Sequence, residues 1–385
     1  MSVSCSERSD KDGSVPLIPI QKALETGGIV NLSRYASSIE YIPLETTDES
    51  AVMGQFVQAD DTGYYVYSVM FTDDVAKFDK EGKYVGRIGK RGRGPGEYAY
   101  LYNVGSVQSV VDSANTGDLF ISDYNKVVIY DNAGKFMNEF SFDSNINDIA
   151  FVGDNGYAML FTDGNGSEQW QNLLMTDMGG NKQYEIKVGK VLHKQIDVKG
   201  HKAMVRVENS IYSFGDSLRI VNASTDTIFT LKNMKKEPWL KLAINKSEED
   251  SGLIDCNPNF IFETDRFVMI PVSFGTPLFP GYFKNKVVPE KTSSANVIFD
   301  KQEGSVKALL HDPKYKLMYG FNNDIDGGAP FNPSYTDGKK MYQIVSAADF
   351  IKMASVSSSA KMKEIAATLT EESNPVLVKV ELKCN

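Results

Sequence analysis

The feature that most constrains this chain is a frame that occurs twice. Val75 to Asp79 (VAKFD) leads into the turn Lys80-Glu81-Gly82-Lys83 and then Tyr84 to Ile88 (YVGRI). Lys126 to Asp131 (KVVIYD) leads into Asn132-Ala133-Gly134-Lys135 and then Phe136 to Phe142 (FMNEFSF). Each copy is preceded by another apolar run, Tyr64 to Met70 (YYVYSVM) and Leu119 to Asp123 (LFISD). Gly82 and Gly134 lie 52 residues apart. Several short strands per unit at a period of about 40–55 residues point to a β-propeller, one unit per blade.

Weaker copies follow. Tyr157 to Phe161, Asn172 to Thr176 and Gln183 to Val188, with the turn Gly179-Gly180, form a third set. Arg219 to Asn222 with Thr227 to Leu231 form a fourth, and Phe260 to Ser273, Asn296 to Asp300 and Ser305 to Leu310 a fifth. Lys339 to Val345 and Pro375 to Lys383 form a sixth. The expected fold is therefore all-β, a six-bladed propeller of four-stranded antiparallel blades. One segment departs from it: Phe350, Ile351, Ala354, Met362, Ile365, Ala366 and Leu369 recur at helical spacing, which predicts a short helical insertion within 347–369. A ring must also close. Ile39 to Glu45 and Pro375 to Lys383 are the natural partners for a last blade shared by both ends of the chain.

Residues 1–16 are polar and read as a disordered leader, and 17–385 as a single propeller domain. Ser2-Val3-Ser4-Cys5 has the small-residue pattern that precedes a lipid-modified cysteine, so Cys5 is a candidate lipidation site. No apolar export signal precedes it, and the start of the natural chain is expected to differ. No run of apolar residues is long enough to cross a membrane, so contact with one would come through a lipid anchor. A net charge of −9 argues against a general nucleic-acid binder. The odd number of cysteines cannot all pair, and a bridge between Cys256 and Cys384 stays open.

Four patches resemble the six-bladed propeller proteins of Bacteroidetes, many of them lipoproteins, which are distantly similar to NHL-repeat propellers. They are YIPLET at 41–46, FDKEGK at 78–83 running into GRGPGEY at 92–98, Asn323 to Gly328 leading to Pro330-Phe331 and Pro333-Ser334, and Asn374 to Leu377. The resemblance implies a propeller exported to the cell envelope, at the outer membrane or cell surface. It implies no defined activity.

Two stretches could meet a ligand. Arg87, Lys90, Arg91, Arg93, Glu97 and Tyr98 flank a glycine-rich loop that could cradle an anion with backbone N–H groups. It could equally be a blade-to-blade connection that needs left-handed glycines. It is neither a P-loop nor a dinucleotide fingerprint. Asn323, Asp324 and Asp326 cluster oxygen ligands, and Ca²⁺ near Asp324 and Asp326 is an open alternative to a side-chain-stabilised turn. An EF-hand fails, because the twelfth position from Asp324 is Tyr335. His193, His201 and His311 lack zinc spacing. Tyr98, Tyr100, Tyr102, Trp170 and Phe331 could stack on sugars or fill gaps between blades.

The sequence shows no catalytic constellation, and no cofactor is expected. The leading expectation is a non-catalytic envelope binding or scaffold protein whose partner is a glycan, a peptide or an envelope protein. The alternative is a carbohydrate-active lyase or hydrolase with acidic residues at the propeller channel. Oligomeric state is not legible.

Overall fold

Strand Tyr64–Ser68 (YYVYS) is buried at all five positions. A strand reaches that state only when both faces of its sheet are covered, since successive side chains point to opposite faces. Here Tyr64 and Val66 pack toward one neighbouring sheet, and Tyr65 and Tyr67 toward the other. Val127 and Ile129 part from Val128 and Tyr130 in the same way. So do Val268 and Ile270 from Phe267 and Met269. The continuous apolar runs of the sequence are thus middle strands of blades packed face to face.

The computed structural model describes residues 15–69, 72–107, 118–164, 168–198, 201–243, 254–256, 261–274, 294–309, 312–315 and 320–383. Its strands form six four-stranded antiparallel blades: residues 56–88, 103–141, 146–190, 210–242, 254–308, and 335–382 together with Ala36–Pro43. We number them blades 1 to 6. Six hydrophobic clusters fill the six seams between neighbours, including the seam between blade 6 and blade 1. The inner strand of blade 5 comes as two pieces, Ile254–Cys256 and Phe262–Glu263, both paired to Phe267–Phe274.

The ring closes as the sequence predicts. Ala36–Pro43 pairs antiparallel with Val376–Leu382, from Ala36 opposite Leu382 to Pro43 opposite Val376. Asn374 fastens the closure. Its Nδ2 donates to the carbonyls of Glu45 (2.6 Å) and Ser50 (2.9 Å), its Oδ1 accepts from Val52 N–H (3.0 Å), and its own N–H donates to Thr46 Oγ1 (2.9 Å). The patches YIPLET and NPVL are therefore two halves of one joint.

The recurring Asp-turn is also real. Asp79 Oδ1 accepts from the N–H groups two and four residues on, and Asp131 and Asp177 repeat this. Gly82, Gly134 and Gly180 follow with φ of 82°, 82° and 84°, where a side chain would be strained. Blade 4 turns instead on Asn233 and Met234, both left-handed.

Further elements add to the ring. Leu17–Ile18 extends blade 4 by a parallel fifth strand, and helix α1 (Ile20–Thr26) follows it. The strands Leu192–Val198 and His201–Val207 form a separate hairpin. Helices α2 (Ala347–Val356) and α3 (Ala360–Ala366) are the predicted insertion, each started by a serine hydroxyl accepting a backbone N–H. A buried ion pair locks blade 4 to blade 5. Arg219 donates to both oxygens of Glu263 at 3.0 Å, and Tyr212 (3.1 Å) and Lys301 (2.6 Å) donate to the same carboxylate.

Strand direction alternates within each blade. Connections from the outer strand of one blade to the inner strand of the next therefore share a face with those between second and third strands. That face carries residues 44–55, 89–102, the 192–207 hairpin, 320–334 and both C-terminal helices.

Candidate functional site

Both sequence-predicted ligand stretches lie on this insertion-bearing face, and the fold treats them differently. Residues 89–102 join blade 1 to blade 2. The loop folds around Glu97, whose carboxylate accepts from Gly94 N–H (2.9 Å) and lies 3.5 Å from Lys90 Nζ. The Gly94 bond above all, with Lys90 adding, holds this carboxyl below the usual range. A Cβ at Gly92 would sit 1.9 Å from the same carboxylate, so a larger residue there would push the Glu97 side chain out of this arrangement. Gly96 donates to Glu139 (2.9 Å) and accepts from Tyr130 (2.8 Å), and Lys126 donates to Glu97 O. Tyr98 is fully buried in the seam between blades 1 and 2. Arg87 donates to the carbonyls of Glu49 (3.1 Å) and Ala51 (2.8 Å). Arg91 and Arg93 are exposed, and the Arg91 guanidinium lies 5.9 Å from the Tyr100 ring centroid.

Past Tyr98 the chain presents aromatic rings. Tyr100, Tyr102 and Tyr124 are 42%, 45% and 38% exposed. Tyr124 is the centre of the group, 4.6 Å from Tyr100 and 4.9 Å from Tyr102 by ring centroids. The frame beneath is tightly held. Ala99 N–H donates to Asp123 Oδ2 (2.7 Å), Tyr102 N–H to Ser122 O (2.9 Å), Tyr124 N–H to Asp123 Oδ1 (2.6 Å) and Ile146 N–H to Tyr124 O (2.6 Å). Partial burial, then the hydrogen bond with Tyr124, pushes the Tyr102 hydroxyl above its ordinary value. The trio stands at the inner edge of blade 2, because Tyr102 immediately precedes the inner strand Asn103–Val107. Tyr124 escaped the sequence reading. Its signal was position, next to Asp123 in the tight turn before Lys126–Tyr130.

The other aromatics are committed elsewhere. Trp170 is covered by Lys187, whose Nζ is 3.6 Å from the ring centroid, and Phe331 is buried. His193 is exposed on the hairpin, while the His201 side chain and His311 lie outside the described residues. So do Cys5 and the side chains of Cys256 and Cys384.

The Asn323 segment turns its polar groups inward. Asp326 Oδ1 accepts from Asn323 Nδ2 (2.8 Å), Gly328 N–H (3.0 Å) and Tyr41 Oη (3.2 Å), and Oδ2 accepts from Ser359 Oγ (2.5 Å). One carboxylate so ties blade 6, its own turn and the start of α3. Asp324 accepts from Ser33 N–H (2.9 Å) and Oγ (2.5 Å). Burial works against ionisation there, but the Ser33 bonds outweigh it and hold the Asp324 carboxyl below its usual range. Among the described residues no group of three or more His, Cys, Asp or Glu side chains converges as a metal site would require.

One carboxyl near the channel behaves in the opposite way. Asp148, on the inner strand Ile146–Phe151, is crowded by protein yet keeps a partly accessible edge. Burial, with the nearby charge of Glu208 adding, pushes it up to about 7, against hydrogen bonds from Ile211 N–H and Ile149 N–H. Glu208 pairs with Arg206 at 2.5 Å, and Arg206 donates to Thr162 Oγ1 (2.9 Å).

The profile of the family described as "Domain of unknown function (DUF4934)" matches residues 15–381. No curated protein matches the chain. Among solved structures, a protein from Bacteroides fragilis described as exported is similar with a TM-score of 0.62 at 15% identity, over 96% of this chain and 100% of that one. A member of the DUF4221 family from Bacteroides vulgatus gives a TM-score of 0.44 at 11% identity, over 90% and 97%. An auxiliary nutrient binding protein from Bacteroides ovatus gives 0.37 at 11%, over 92% and 78%.

Proposed function

The chain belongs to the DUF4934 family, and we propose that it is a non-catalytic binding protein of the bacterial envelope. Its partner is a glycan, a peptide or another envelope protein. One observation carries this reading. Three tyrosines are held 38–45% exposed on a hydrogen-bonded frame, on the face that carries the long insertions. Large aromatic rings are usually buried, and a rigid exposed group of them is a recognition surface. The exposed cations Arg91 and Arg93 belong to this surface, with Lys90 beside them. Arg87, Glu97 and Tyr98 shape the loop that supports it.

Export is part of the same proposal. Cys5 would carry the lipid, and the description of the Bacteroides fragilis protein as exported is in keeping with this. Labelling cells with a clickable fatty acid should tag the protein and spare a Cys5→Ala variant. Equal labelling of both would defeat the anchor. For binding, the purified protein and its Tyr102→Ala variant are screened against saccharides, peptides and solubilised envelope proteins. The reading expects a partner that the variant binds more weakly. A partner held equally by both would move the site elsewhere.

A second reading has its own observation. A carboxyl raised to about 7 beside Glu208 is suited to general-acid work on a glycosidic bond. It predicts that the protein shortens a polysaccharide and that Asp148→Asn does not.

A further inference from the structure

We propose that the tyrosine trio, with Arg91, forms a binding site for a saccharide that bears a carboxylate, such as a uronic-acid-containing glycan. This rests on the binding reading above and narrows it to one class of ligand.

The rings decide for a saccharide. Tyr100 and Tyr102 flank Tyr124 at interplanar angles of 69° and 58°, so the three rings form a faceted surface and not a single flat stack. The ring surface left exposed by this packing can meet sugar C–H groups, and each hydroxyl can donate to or accept from a sugar hydroxyl. Leu101, between two of the tyrosines, is turned inward and buried. The patch is therefore aromatic and polar. Among the described residues 98–102 and 123–125, the exposed large hydrophobic side chains are the tyrosines alone.

The cations decide for an acid. Lys90, Arg91 and Arg93 fall within four positions of a chain whose net charge is −9. Arg91 places its guanidinium beside the Tyr100 ring, where a saccharide resting on that ring would bring its substituents. A planar guanidinium suits a carboxylate with two parallel hydrogen bonds, and a local positive loop on an acidic protein steers anions toward it. Two carboxylates lie close by and both are engaged: Glu97 by Gly94 N–H and Lys90, and Asp123, whose charge reaches the Tyr102 hydroxyl, by the N–H groups of Ala99 and Tyr124.

The frame supplies preorganisation. Backbone bonds from Ala99, Tyr102 and Tyr124 fix the segments that carry the rings, and the rings pack on one another, which lowers the ordering cost of binding.

The test uses immobilised full-length protein and two sets of oligosaccharides of matched length. The acidic set is oligogalacturonate, alginate and hyaluronan fragments, and the neutral set is malto- and cello-oligosaccharides. At least one acidic member should bind above every neutral one. Tyr102→Ala and Tyr124→Ala should each weaken it on the order of tenfold, and Arg91→Ala should reduce the preference for the acidic set. Melting curves confirm that each variant is folded, and Tyr124→Phe, which keeps the ring, should retain most of the affinity. No binding to either set, equal binding to both, or binding untouched by folded tyrosine variants would overturn the proposal. A peptide or envelope protein whose binding depends on Tyr102, with no saccharide bound, would leave the broader function standing and remove this one.

Discussion

Residues 89–102 and 320–334 are both outer-to-inner connections on one face of the ring, both rich in glycine and charge, and they do opposite things. In the second, Asp326 and Asp324 receive hydrogen bonds from Tyr41, Asn323, Gly328, Ser359 and Ser33. The polar groups are consumed in joining blade 6, α3 and the N-terminal segment. In the first, Glu97 and Tyr98 are consumed in the same manner, but Arg91, Arg93, Tyr100 and Tyr102 remain outward. A cluster of chemistry-bearing residues becomes a surface only when the fold has already satisfied its frame by other means.

The comparison breaks first on stability. Asp326→Ala leaves four donors without their acceptor and should cost about 3 kcal/mol, read as a lower urea midpoint. A loss within about 0.5 kcal/mol, the range of ordinary surface substitutions, would show that the segment does not hold the helices.

Acidity separates the internal carboxyls next. Asp148 has its folded value raised to about 7, above its ordinary value, so its contribution is fully present only below that ordinary value and is lost progressively as pH rises from there through 7. The melting temperature should fall across that window by the equivalent of about 2 kcal/mol, and Asp148→Asn should flatten the slope. Asp324 has its folded value lowered, so its contribution is present at neutral pH and lost as pH falls through the acidic range. A melting temperature that rises between pH 5 and 7 would contradict the Asp148 assignment.

The loop itself gives a smaller effect. Glu97→Gln should speed hydrogen exchange at the amides of residues 92–98 while the blade amides stay protected. Uniform acceleration would mean that the loop and the seam open together. The smallest effect belongs to the presented side chains. Tyr100→Ala and Tyr102→Ala should each change stability by less than about 0.5 kcal/mol.

Much of this fold was legible because its signals are local. The Asp-x-x-Gly-Lys turns at Asp79 and Asp131 carry their own hydrogen-bond pattern, and closure followed from two strand-like ends. Blade 4 was fainter, because its Asn233-Met234 turn uses two left-handed residues and no glycine. The 192–207 hairpin was missed, since its two strands pair with each other and with no blade.

The site was less legible than the fold. Tyr98, Tyr100 and Tyr102 share a two-residue spacing that would put them on one side of a strand. The chain bends after Tyr98 instead, leaving that residue in the seam and the other two outside. Nor could spacing show that Asp326 faces a serine on a helix 33 residues later. The sequence reading named two stretches that share one face and could not separate supporting residues from presented ones, because that depends on contacts between distant segments.

Hydroxyl-radical footprinting of the intact protein, alone and with the best-binding acidic oligosaccharide, tests the division most directly. Tyr100, Tyr102 and Tyr124 should oxidise readily in the free protein and be protected by the saccharide, while Tyr41, Tyr98 and Phe331 stay slow in both. Unchanged oxidation of the trio, or protection confined to residues 320–334, would contradict the account.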